Sequence, residues 1–128
     1  MRILAGALIS LHGLVHLRYV GQALRWFELR EGMEWPTGAR LVPGRISDSG
    51  LRGFAATTIG MASLALVAGG VGILFDTGWA TWVTIIGAIL LSLLHILLWN
   101  GDLKTSPDQG LYGVIINAVI VVWLLLAL

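Results

Sequence analysis

The chain contains no cysteine and few charges: only 12% of its 128 residues are Asp, Glu, Lys or Arg. The first absence excludes disulfides, thiolate metal ligands, iron–sulfur clusters and thiol redox chemistry, and leaves the compartment open. The second sets the chain apart from soluble domains, in which about a quarter of residues are charged. A net charge of +1 excludes the concentrated basic footprint of a nucleic-acid binder. Catalytic signatures are missing too. No HExxH pattern follows the histidines, no GxSxG accompanies the serines, and "GGVGILF" lacks the lysine and the strand-to-helix setting of a phosphate loop. No second composition regime, repeat or low-complexity tract divides the chain, so residues 1–128 read as one domain.

What is present is apolar length. Hydrophobic residues make up 57% of the chain and the mean hydropathy is +0.87. A membrane-crossing helix needs about 20 apolar residues, because the hydrocarbon core is ~30 Å thick and each residue rises ~1.5 Å. Four segments qualify, at about residues 3–24, 51–75, 79–99 and 110–128, with Trp79, Trp82 and Trp99 placed as an aromatic belt on the third. Backbone groups in lipid must be satisfied within the segment, so these are helices. Arg2 followed by an apolar run has the look of a secretory signal. Leu17, Arg18 and Tyr19 stand where a small-residue cleavage site would be, so the segment is expected to be a retained first helix. The expected fold is all-α: a four-helix transmembrane bundle, up-down-up-down, with a long first cytoplasmic loop.

The connections set its topology. "DTG" (76–78) forces a hairpin between the second and third spans, and "NGDLKTSPDQG" (100–110) forms a polar turn before the fourth. The first connection, 25–50, opens with "RWFELREGMEW", which can extend the first helix or lie along the interface as an amphipathic piece. Ser47 and Asp48 are N-cap candidates for the second span. Gly53, Gly60, Ala62, Ser63, Gly69, Gly70 and Gly72 give that span a small-residue surface for close helix packing or for docking a partner. Arg25, Arg30, Arg40, Arg45, Arg52 and Lys104 fall on the side of the two longer connections, and only Arg2 falls on the other. The positive-inside bias therefore predicts N-out and C-out in a bacterial inner membrane, with loops 25–50 and 100–109 cytoplasmic. Arg18 is expected to snorkel to that interface.

Polar residues inside the spans carry what chemistry the sequence offers. His12 and His16 are four apart on one helix face, which Tyr19 continues, and His16 lies about 6 Å nearer the cytoplasm. His95 is four residues from the end of the third span, with Ser92 a turn before it; Asn117 lies about 10 Å inside the fourth span, and Tyr112 near its mouth. Unpartnered polar groups in hydrocarbon lose several kcal/mol, so residues at shared depth are expected to face one another, a cavity, a cofactor or a partner. The bland reading is interhelical hydrogen bonding. Three functional readings compete with it. His95 with His12 or His16 can supply the axial ligands of a b-type haem, with Arg18, Arg25 or Lys104 on its propionates, or one histidine can hold a chlorophyll-type pigment. His12, His16 and His95 can form a three-histidine zinc or iron site. A histidine, Tyr112 and Asn117 can hydrogen-bond a quinone or lipid head group, since histidine exchanges protons near neutral pH.

The pattern "HGLVH" early, then Trp99, Asp102 and Lys104 in a WxxDxK stretch, then Gly110 and Asn117, resembles small bacterial four-helix membrane proteins of a DoxX-like type. The resemblance covers the first, third and fourth helices and leaves the long loop unmatched. It implies the same architecture and an association with membrane redox systems. Two classes of function follow. One is an accessory or structural subunit of a larger membrane assembly, partnered by lipid, other membrane subunits or a second copy. The other is a haem-, pigment- or quinone-binding redox protein using His12, His16, His95, Tyr112 and Asn117. The first is preferred, because a small chain with glycine-rich helix faces has little room for an independent active site.

Overall fold

The computed structural model describes residues 1–128 and is helical throughout, with no strand. The first helix is α1 (Arg2–His16) continued by α2 (Arg18–Ala23). At Leu17 the backbone stays helical but tightens to i→i+3 bonds, Leu17 N to Leu14 O at 3.1 Å and Val20 N to Leu17 O at 3.0 Å. α3 (Asp48–Leu74), α4 (Ala80–Leu97) and α5 (Leu111–Ala127) follow, with a 3₁₀ turn over Ser106–Gln109 before α5. Arg2–Ala23, Asp48–Leu74 and Ala80–Leu97 are each long and apolar enough to cross a membrane, and α5 is an apolar helix of 17 residues. The chain is thus a four-helix bundle of the kind expected of an integral membrane protein.

Helix ends follow local chemistry. Ser47 caps α3, its Oγ accepting from Gly50 N at 3.1 Å, while Asp48 pairs with Arg52 one turn on at 3.0 Å. α2 and α3 both stop in a paired-bond motif with a non-glycine residue in the left-handed region. Arg25 (φ 61°) does so with Trp26 N on Gly21 O, and Asp76 (φ 59°) with Thr77 N on Gly72 O, each at 2.9 Å. Asp76 then faces Arg2 in an ion pair at the hairpin end.

The expectation for "RWFELREGMEW" is corrected. Residues 25–47 contain no helix, neither as an extension of the first span nor as an interfacial piece. The reason is Gln22, wholly buried at the end of α2. Its Oε1 accepts from Leu29 N at 2.7 Å, and its Nε2 donates to Met33 O at 3.0 Å and Trp35 O at 3.3 Å. These bonds fold the loop back over the bundle end and carry Trp35 inside, where it is 3% exposed.

Packing follows chain order. α1 lies on α3, α3 on α4 and α4 on α5, while α1 and α5 barely touch. The α1–α3 contact depends on small residues. A Cβ on Gly13 would lie 2.9 Å from Ser63 O and Val67 N, and one on Gly70 would lie 2.6 Å from Ser10 N. Gly69 and Gly72 lie equally close to Thr84 and Ala80, but Gly53 and Gly60 meet no close neighbour, so only the C-terminal half of the small-residue surface is used within the chain. Leu4, Leu8, Leu11 and Leu14 on α1, and Ile115, Val119, Val122 and Leu126 on α5, point away from the protein. Helices apolar on their outer faces suit a hydrocarbon solvent.

Gly13→Ala is expected to destabilise the bundle by about 1–3 kcal/mol, since the added methyl meets backbone atoms that cannot rotate aside. Detergent-titrated unfolding in mixed micelles checks this, with Gly53→Ala, which meets open space, as the neutral control.

Candidate functional site

Interior polar groups gather at the bundle end that carries the two longer connections. α1 presents His12 and His16 one turn apart, the last two turns of α4 present Ser92 and His95, and the second turn of α5 presents Asn117. Their contacts form one line. Ser92 Oγ donates to Ala88 O at 2.9 Å and accepts from Asn117 Nδ2 at 3.1 Å. Asn117 Oδ1 meets His12 Nε2 at 2.8 Å, His12 Nε2 meets His16 Nε2 at 3.3 Å, and His16 Nδ1 meets His95 Nε2 at 3.2 Å. His16, His95 and Asn117 are 3%, 2% and 1% exposed. His12 is only partly covered. The imidazoles of the first and third spans therefore meet in one row, and His12 belongs with them.

Aromatic side chains hold the line in place. Tyr19 is buried with its ring edge-on to His95, centroids 4.6 Å apart, and Trp35 stacks on the same imidazole at 6.1 Å. Two glycines let α5 approach. A Cβ on Gly110, whose φ of 98° already disfavours any side chain, would fall on the His95 ring, and one on Gly113 would fall on the His16 ring. This gives Gly110, part of the sequence motif, a physical reason. His95 Nδ1 lies beneath Gly110, buried and without a partner, and Trp35 Nε1 is buried and unpartnered as well.

Three spaces border the line. Between α1 and α5 a crevice of about 100 Å³ is lined by His12, His16, Arg18, Tyr19, Tyr112 and Gly113 among others. Tyr112 is 63% exposed at its mouth, and the exposed Arg18 lies over the Tyr19 ring at 5.1 Å. Beyond His95, a nearly apolar groove of about 260 Å³ runs past Ile96, Trp99, Leu111 and Val114. Under the loops, a polar basin of about 570 Å³ is walled by Arg30, Glu34, Trp35, Asn100, Asp108 and Gln109. Arg30 and Asp108 pair across it at 2.9 Å.

This geometry discriminates among cofactors. His16 turns its two ring nitrogens to different neighbours, so the imidazoles form a chain and not a convergent set, and no group of three His, Asp or Glu side chains gathers as a metal site. His16 and His95 touch directly, which leaves no slot for a macrocycle between them. The crevice and the groove are both smaller than the roughly 300–1,000 Å³ typical of enclosing pockets. They suit the head of a ligand whose tail stays in lipid.

All five sequence candidates meet here: His12, His16 and Tyr112 line the crevice, and Asn117 and His95 stand behind it. Trp35, Gln22 and Gln109 went unnoticed in the sequence. Gln109 fastens the second loop as Gln22 fastens the first, accepting from Asn100 N at 3.1 Å. A lone tryptophan before proline in a long loop, and single glutamines where apolar helices meet the longer connections, are the available signals. Scans against family models, curated proteins and solved structures return no match for this chain.

Asn117→Leu removes one interhelical bond to Ser92 and one to His12. The expected loss is about 1–3 kcal/mol, from two interhelical bonds at roughly 0.6–1.7 kcal/mol each, comparable with that of Gly13→Ala. The same mixed-micelle titration compares the two.

Proposed function

We propose that this chain is a small polytopic subunit of a bacterial inner-membrane redox assembly, whose histidine line serves a quinone-type head group entering between α1 and α5. The observation that carries this reading is the crevice itself. It brings imidazole, phenol and guanidinium groups together where a head group can arrive from lipid. Histidine and tyrosine at membrane depth suit a ligand whose carbonyls gain and lose protons. The DoxX-like pattern adds the redox association. The lean packing of α5 supports subunit status. It buries only Asn117, Ile120 and Leu124, leaving most of its surface to lipid or to a helix of another subunit.

One observation favours a second reading, in which the polar line only holds helices together. His12, His16 and Asn117 each already have partners inside the chain. Binding separates the two. With the protein in nanodiscs, a short-tailed quinone should quench tryptophan fluorescence saturably, and Tyr112→Phe and His12→Leu should each weaken binding about tenfold, or ~1.4 kcal/mol. Wild-type protein that shows no saturable quenching leaves the structural reading standing.

Orientation has its own test, made simple by the lack of cysteine. We propose N-out and C-out from the arginine and lysine bias. Gly44 and Gly78 both have open space for a side chain. Gly78→Cys should react with an impermeant maleimide from outside intact cells, and Gly44→Cys only after permeabilisation. The opposite labelling pattern overturns the orientation.

A further inference from the structure

The hydrogens of the polar line follow from its heavy atoms, starting at a backbone carbonyl. Ala88 O can only accept, so the Ser92 hydroxyl spends its hydrogen there. Ser92 Oγ must then accept, which fixes the Asn117 atom facing it as Nδ2 and the one facing His12 as Oδ1. An amide oxygen accepts, so His12 Nε2 carries hydrogen and His12 Nδ1 is bare. His16 Nε2, 3.3 Å from that N–H, must be the bare nitrogen of its ring, which puts hydrogen on His16 Nδ1. His95 Nε2 accepts it at 3.2 Å, and the hydrogen of His95 is left on Nδ1. With each imidazole taken in its neutral form, which is what leaves His12 Nδ1 bare, all three point the same way.

The two free ends differ in kind. His12 Nδ1 is a lone pair with no protein partner, on a partly exposed ring that lines the crevice. His95 Nδ1 is an N–H with no partner, beneath Gly110. Gln109, the next residue back, walls the polar basin, as does Trp35, stacked on the same imidazole. The line therefore begins as an acceptor at the lipid-facing crevice and ends as a donor one layer from the loop basin.

We infer that His12, His16 and His95 form a proton relay from the crevice to the loop basin, with a resting polarity set by Asn117, Ser92 and the Ala88 carbonyl. A proton arriving at His12 Nδ1 releases the one on Nε2 to His16 Nε2. His16 Nδ1–H then passes to His95 Nε2, and His95 Nδ1–H leaves toward the Gln109–Gly110 backbone and the basin. One proton enters and one leaves; no electron moves and no heavy-atom bond changes. After transfer, His12 Nε2 is bare and faces the Asn117 oxygen, acceptor against acceptor, so the inverted pattern is the less stable one; the resting pattern is regained when the proton returns along the line, or, for net transfer, when each ring turns over about its Cβ–Cγ bond. Asn117 and Ser92 act here as positioning residues. The inference rests on the proposed function only for the source of the proton, a head group in the crevice; the relay is testable with no ligand present.

Nitrogen-15 spectra of the histidine-labelled protein in bilayers read the pattern directly. His16 and His95 are expected as Nδ1–H tautomers and His12 as Nε2–H. Free imidazole side chains favour Nε2–H, so two inverted rings are diagnostic. Asn117→Leu should leave His12 and His16 as tautomer mixtures. If His16 and His95 both appear as Nε2–H in the wild type, the assignment fails. Transfer is read by solvent deuterium exchange at His95 Nδ1–H, which should slow at least tenfold in His16→Gln, a variant that keeps polar contacts but cannot relay. Unchanged exchange in a folded His16→Gln protein overturns the relay, whatever the quinone titration shows.

Discussion

The constraint on which this structure turns is that hydrocarbon offers no hydrogen bonds, so a polar group inside the bundle is costly unless the protein itself supplies its partner. Seven helical residues answer that requirement together: Ala88, Ser92 and His95 from α4, His12 and His16 from α1, Asn117 from α5, and Gly113, which makes room for the His16 ring. Because the line starts at a carbonyl that can only accept, and His12 Nε2 faces both the Asn117 oxygen and His16 Nε2, little freedom remains in where the hydrogens lie. A set of pairwise contacts thereby becomes a directed line. The same atoms scattered on separate helix faces would need separate partners and would have no direction.

Apolar packing and polar bonding divide the work between helices. α1, α3 and α4 pack through glycines and alanines, and Gly13 and Gly70 bring backbones together where no methyl fits. α5 is different. It packs on α4 and scarcely on α1, and its link to α1 runs through Asn117 and His12. The crevice exists because packing is withheld there, and the hydrogen bond spanning its floor keeps α5 at the distance the histidines require. Gly110 and Gly113 serve the same end, since a methyl at either would push α5 off the imidazoles.

Legibility in the sequence followed periodicity. The spans could be read because apolar length is a local property, and the His12–His16 face because residues four apart share a helix face. The depth of His95 and Asn117 followed from the topology, and depth alone suggested a common site. The participation of His12, nominally deeper than the others, did not follow; it depends on Asn117 reaching up from α5. The long loop was illegible for another reason. Gln22 holds it by bonds to the backbone of Leu29, Met33 and Trp35, and side-chain-to-backbone bonds impose no period on the sequence. Without that staple, "RWFELREGMEW" reads as amphipathic, and the entry of Trp35 into the bundle cannot be anticipated.

The loop and the histidine line are mechanically one unit. Gln22 sets the position of Trp35 by accepting Leu29 and holding the Trp35 carbonyl; Trp35 covers one face of His95; Tyr19, a turn before Gln22, covers its edge. Gln109 and Gly110 close the remaining side from the second loop. The His95 end of the line is therefore enclosed by the end of α2 and by the two longer connections, and its His12 end opens between α1 and α5, which scarcely touch. The basin borders His95 by way of Trp35 and Gln109, and the crevice borders His12 directly. A displacement of α5 away from α1 would strain the Asn117–His12 bond, because little packing between the two helices resists it. The bond that holds the crevice is also the bond that orients the line, so opening one releases the other.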